Sequence, residues 1–334
     1  MILVVVLHVC GQGGLIGKVR TGTGNWYVVW LFECFAYPAV DIFALISGFV
    51  GPDGREGYRA GRIGAYWARV LFYTLFITAA YALLPGGVSG GQWLLALLPV
   101  THGQYWYMTA FFGLLIVKPI LVRAVQSASD RDAVWFLSLS FLLFSVLPTA
   151  FSRSVYGLSG GYSLIWLVLL FLSGGMIRKL KWEERVRWYA AALLLLIGSA
   201  ATFVGKVFGA GGLVKYTSPT VLLSAVGWLL LFSRMKIRRG RKVLAFFSEA
   251  SLSCYLIHVH PLVWETVMKG ISLPLLKEPW PAAALGIALF STGIFLLTAI
   301  LDFPRQCLFR KFGSKKSRNN EKNETFASEI RYNQ

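Results

Sequence analysis

The stretch WYAAALLLLIGSAATFV, residues 188–204, contains no charged side chain. As an α-helix rising ~1.5 Å per residue it extends for roughly 25 Å, close to the ~30 Å hydrocarbon thickness of a bilayer. Residues 161–176, GYSLIWLVLLFLSGGM, repeat the pattern, and further apolar runs lie on both sides. The full series is 1–10, 26–50, 66–84, 105–124, 133–151, 162–178, 188–207, 217–233, 243–264 and 281–303. Aromatic residues mark many of the ends, among them Trp26, Tyr66, Trp67, Tyr105, Trp106, Trp188 and Trp280, as interfacial belts do. With 56% hydrophobic and 14% charged residues, the chain has too little polar surface to cover a soluble domain of 334 residues. The expected fold class is therefore an all-α polytopic integral membrane protein with about ten transmembrane helices.

The net charge of +18 would suit nucleic-acid binding if it formed a patch, but the basic residues sit in short clusters between apolar runs. Summed over alternate loops, Lys and Arg divide 26 to 7. The richer set includes Arg55 to Arg69, Lys118 to Arg131, Arg178 to Arg187, Arg234 to Lys242 and the end of the chain. Cytoplasmic loops carry such an excess, so both termini are expected on the cytoplasmic side and no nucleic acid is expected as a partner. Residues 1–304 read as the membrane domain and residues 305–334 as a basic, polar, disordered tail. The first run is anomalous: as a helix, residues 1–10 span only ~15 Å, half of what a crossing needs. The expectation is a first helix whose cytoplasmic half precedes Met1.

Polar side chains inside apolar runs are the best leads to chemistry, because placing them there costs free energy. Glu33 and Asp41 share the second run and lie within ~80° of one another around a helix. His8 is alone in the first run, and His258 and His260 close the ninth. Each could instead pair with a neighbouring helix. The four cysteines form no CxxC pair, and no metal site is expected. Gly13 to Lys18 lacks P-loop spacing, and Ser47 is not in a G-x-S-x-G elbow. His8, Asp41 and Glu33 alone leave a transporter and a membrane enzyme both open.

Several ordered elements resemble the acyltransferase-3 family of membrane O-acyltransferases, above all bacterial members that decorate surface polysaccharides. His8 in VVVLHV corresponds to the family's first-helix histidine, and residues 40–49, VDIFALISGF, to its VDxFFxxSGF element. Arg62 and Arg69 resemble the basic segment entering the third helix, and Tyr105 to Met108 with Pro119 the WY span. Gly161-Tyr162 and residues 253–258, SCYLIH, resemble the sixth and ninth helices. The likeness runs from His8 to about Leu301, and the serine-glycine and YLxH elements are its most specific parts.

The resemblance implies transfer of an acyl group, commonly acetyl, from a cytoplasmic acyl-CoA co-substrate to a carbohydrate hydroxyl, at the bacterial cytoplasmic membrane. His8 would be the general base, since an alcohol of high pKa is a poor nucleophile until a positioned base takes its proton. Asp41, Glu33 and Ser47 would support it, and Arg62 and Arg69 would meet the CoA phosphates. Trp106, Tyr107, Tyr255 and His258 would line the acceptor or acyl pocket. One departure stands out: the basic residue that the family carries eleven positions before this histidine has no counterpart here. An exporter or flippase of polysaccharide or lipid-linked sugar with the same fold is the alternative.

Overall fold

The computed structural model describes residues 1–51, 60–153, 155–237 and 239–332, with the backbone alone for Ala60, Arg62 and residues 310–332. The described residues form helices and turns and no strands. The main helices are α1 (Ile2–Cys10), α2 (Gly24–Ala36), α3 (Ala39–Phe49), α4 (Ala60–Ala82) and α5 (Trp106–Ser127). They are followed by α6 (Asp130–Phe141), α7 (Leu164–Lys179), α8 (Trp188–Val207), α9 (Pro219–Ser233), α10 (Arg241–His258) and α11 (Trp280–Tyr332). A helix or helical pair thus answers each apolar run read from the sequence.

Among the described residues, six helices are long and apolar enough to cross a membrane: Gly24–Phe49, Ile63–Ala82, Trp106–Ser127, Asp130–Ala150, Trp188–Val207 and Trp280–Phe309. A seventh is reached if Arg241–His258 and Pro261–Lys277, bent by 64° at their junction, count as one broken span. The sequence reading of about ten exceeds this because it counted short helices. α1, with 9 residues, α7, with 16, and α9, with 15, rise only ~14, ~24 and ~22 Å. The outward face of the bundle is apolar: Ile120, Ile197, Leu289 and Ile300 are each more than 60% exposed. In water such a surface would aggregate; in a bilayer it meets lipid.

Inside the bundle, glycine lets backbones touch. A Cβ on Gly48 of α3 would sit 1.8 Å from the Phe171 carbonyl oxygen of α7, and one on Gly174 would sit 2.0 Å from that of Leu45. Small residues at such crossings are how membrane helices gain close packing, since lipid offers no hydrophobic drive between them. This explains the serine-glycine element physically: Gly48 locks α3 to α7 and so fixes where Ser47 and Asp41 stand. α8 and α9 meet in the same way, through Gly198 and Gly227, with Ser199–Ser224 and Thr202–Thr220 hydrogen bonds of 3.2 and 2.7 Å between them.

α11 continues as helix through the segment that the sequence set apart as a tail. Arg305 and Gln306, counted with that tail, are buried in the bundle. The reason is local: Arg305 folds back on Asp302 one helical turn earlier, through Nε at 2.5 Å and Nη2 at 3.0 Å, and the paired charge is tolerated inside.

Candidate active site

Helical periodicity brings one set of side chains to a common cavity of about 250 Å³. α1 contributes Met1, Val4 and His8, spaced to share one face. α3 contributes Val40, Phe43 and Ser47, and α10 contributes Ser248, Ser251, Leu252 and Tyr255, both with the same spacing. Tyr66 of α4, Trp106, Tyr107, Met108 and Phe111 of α5, and Tyr216 before α9 complete the wall. A larger cavity of about 450 Å³ lies among α6 to α9, but its lining is aliphatic, aromatic and serine side chains, with no group able to take a proton near neutrality.

The helices give the cavity two ends. Ser47 stands near the end of α3, and Ser248 lies ten residues, ~15 Å, before His258 at the end of α10. Ser47, Tyr66, Ser248 and Ser251 form one polar end; Trp106 and Tyr216 form the other; His8 lies on the wall between.

His8 is held by a chain of hydrogen bonds whose direction can be derived. Nδ1 of His258 lies 2.5 Å from the Cys254 carbonyl oxygen, one turn earlier on α10. A carbonyl only accepts, so this Nδ1 carries the proton, and a neutral His258 has its lone pair on Nε2. His8 Nδ1 lies 2.8 Å from that Nε2 and must donate to it. The proton of neutral His8 is therefore on Nδ1, and its Nε2 carries the lone pair, without a hydrogen-bond partner among the described residues. Trp264 closes the other side of the ring in an edge-on contact, 4.8 Å between centroids.

Asp41 is fully buried and accepts a 3.0 Å bond from Trp166 Nε1 of α7, while its second oxygen has no partner among the described residues. Glu33 is 7% exposed, with Oε2 likewise unpartnered. Neither carboxylate is hydrogen-bonded to His8, the role the sequence suggested; His258 takes that place. His258 in turn stands behind His8 and not on the cavity wall, where it was expected beside Tyr255. Ser47 lines the cavity, although its hydroxyl donates to the Phe43 carbonyl at 2.8 Å. Arg69 lies 4.0 Å from Glu249, which is also 3.7 Å from Arg305. The side chain of Arg62 lies outside the described residues. His260 accepts from the Leu262 amide as a helix cap.

A family model described as an acyltransferase domain matches residues 1–300. The chain belongs to the acyltransferase-3 family. A Bacillus subtilis (strain 168) protein named "Putative membrane-bound acyltransferase YfiQ" is 23% identical, over 78% of this chain and 77% of the relative. No solved structure matches. In this acyltransferase the cavity that His8 lines is walled chiefly by α1, α3, α5 and α10. Sequence reasoning missed Ser248 and Ser251, although with Tyr255 and His258 they form a stripe along one face of α10 that a helical wheel displays. It also missed Tyr216, which enters from a loop and leaves no periodic signal.

Proposed function

We propose that this acyltransferase moves an acyl group, acetyl in the simplest case, from acyl-CoA to a hydroxyl of a cell-surface or exopolysaccharide sugar, with His8 as general base. The observation that carries the reading is the directed chain Cys254 carbonyl–His258–His8, which leaves the lone pair of His8 Nε2 free beside the cavity. The acceptor hydroxyl oxygen attacks the thioester carbonyl carbon while its proton passes to His8 Nε2. The imidazolium that forms is stabilised by its Nδ1–H bond to His258. When the tetrahedral adduct collapses, the C–S bond breaks, the electron pair goes to sulfur, and His8 returns the proton to give free CoA and the ester. A positioned base of this kind contributes about 10²–10⁴-fold to rate.

The excess of basic residues in alternate loops supports an orientation with both termini cytoplasmic and the short helices α1, α7 and α9 acting as parts of about ten passes through a bacterial plasma membrane. The polar end of the cavity, beside Arg69 and the basic segment containing Arg62, then faces the side where acyl-CoA is made. Trp106 and Tyr216 face the acceptor side. The test is the acetyl-ester content of the surface polymer in cells with the wild-type protein, without it and with His8→Ala. Equal ester content in all three would overturn the proposal.

A further inference from the structure

Four aromatic rings close the end of the cavity opposite the serines. Trp106 lies 4.6 Å from Tyr162 and 6.2 Å from Tyr216, centroid to centroid; Tyr162 lies 5.0 Å from Tyr216, and Tyr37 lies 4.8 Å from Tyr216. Trp106 and Tyr216 belong to the cavity wall, whereas Tyr162 is 51% exposed and extends the cluster outward. The backbone is shaped to allow it. Gly161 has φ +105°, and a Cβ there would stand 2.3 Å from that of Tyr216. Only glycine permits both the left-handed conformation and the approach of the two tyrosines.

A carboxylate belongs to this end as well. Glu33 sits one helical turn before Tyr37, on the same face, and lies within electrostatic reach of Tyr37 and Tyr216. Its Oε2 is buried without a partner among the described residues, which is costly for a polar group unless a ligand supplies a donor.

We infer that the rings of Trp106, Tyr162, Tyr216 and Tyr37, with the Glu33 carboxyl, form the acceptor subsite and take a pyranose ring. This rests on the acyl-transfer reading above and names where its acceptor lies. A pyranose presents a face of polarised C–H groups, which complement the negative faces of aromatic rings, and hydroxyls that can donate to a carboxylate. The other occupants fit less well. A hydrocarbon tail would leave Glu33 unsatisfied, and the phosphates that accompany adenine in CoA would meet no cation among these five residues. A ring seated on Trp106 and Tyr216 abuts the cavity wall that also carries His8.

The test uses the purified full chain in nanodiscs, with labelled acetyl-CoA and a panel of methyl pyranosides as probes. At least one methyl pyranoside is acetylated with saturable kinetics. Tyr162→Leu and Glu33→Gln each raise its KM about tenfold, the weight of one lost ring contact or hydrogen bond, while the KM for acetyl-CoA is unchanged. Tyr162→Trp restores it, and because Tyr162 is exposed, its variants fold. Saturation-transfer NMR on the His8→Ala protein reads binding without turnover, and the pyranoside C–H protons receive the transfer. Transfer to a pyranoside with the same KM in both variants overturns the subsite and leaves the reaction standing. Binding that is lost in Tyr162→Leu, with no pyranoside ever acetylated, overturns the reaction and leaves the subsite standing. No saturation transfer to any pyranoside overturns the subsite.

Discussion

Two buried polar clusters occupy this bundle, and they are built to opposite rules. Around Asp302, every acceptor site is filled: Tyr73 and Arg305 Nε donate to one oxygen, Arg305 Nη2 and Gln306 to the other. A carboxylate accepts about four hydrogen bonds, and here it has four. Around His8 the chain of bonds runs in one direction and stops short, leaving one ring nitrogen with its lone pair toward a cavity. A carboxylate so saturated has nothing left to offer a substrate and braces α4 against α11. An unsaturated cluster, held in a fixed tautomer, is what the proposed general base requires. In hydrocarbon the distinction is sharpened, because water cannot supply missing partners.

The contrast is tested most severely where the expected effect is largest. Asp302→Ala takes from the nearly buried Arg305 its two-pronged partner, leaving Glu249 at 3.7 Å, and breaking a buried pair by removing one partner costs about 3–5 kcal/mol. Thermal unfolding in detergent should show a destabilisation of at least about 3 kcal/mol, with turnover per folded molecule near wild type. A normally stable Asp302→Ala protein that has lost turnover would make this cluster part of the active site and erase the comparison.

His8→Ala should do the reverse. Turnover should fall about 10²-fold or more, equivalent to ~2.7 kcal/mol of transition-state stabilisation, with little change in unfolding temperature. His8→Gln should be nearly as damaging, since an amide does not accept and return a proton. A folded His8→Ala enzyme with wild-type acyl transfer would remove the base from the mechanism.

Much of this was legible in the chain and some was not, for identifiable reasons. His8 and the serine-glycine element stand out because polar and small residues in apolar helices have few reasons to be there. Gly48 proves to be a backbone-contact glycine, a role that shows only once α3 and α7 are seen to cross. The His8–His258 bond joins residues 250 positions apart, and no local pattern specifies which helices become neighbours. Asp302 and Arg305 have the spacing of a helical ion pair, but Arg305 was absorbed into the basic residues that set orientation. Burial decides between the two readings, and burial of a long basic side chain is a property of the packed bundle.

His258 sharpens the comparison from within the reactive cluster. It holds His8 without lining the cavity, so His258→Ala should lower kcat about tenfold, the worth of one charge-assisted hydrogen bond to the imidazolium, while the KM for acyl-CoA stays unchanged. Nitrogen-15 NMR of neutral His8 should show the proton on Nδ1 in the wild type and a mixture of tautomers in the variant. An unchanged tautomer and unchanged kcat would show that His258 serves packing alone.

Arg69 stands between the two clusters and should show the smallest effect. Its 4.0 Å approach to Glu249 is a partly exposed pair worth under about 1 kcal/mol, so Arg69→Ala should barely change stability. If Arg69 also meets a CoA phosphate, it must exchange part of its contact with Glu249, which reduces the gain to about 1 kcal/mol, or roughly fivefold in KM. The KM for acetyl-CoA should rise by that amount, and the difference should shrink as salt screens the phosphate. Arg69→Lys should restore it only in part, because an ammonium lacks the two-pronged geometry. The decisive substrate is S-acetyl-pantetheine, which keeps the thioester and loses every phosphate. With it, wild type and Arg69→Ala should have the same KM. An equal loss on both donors would place Arg69 with the brace at Asp302, and an equal KM on acetyl-CoA itself would remove it from donor binding.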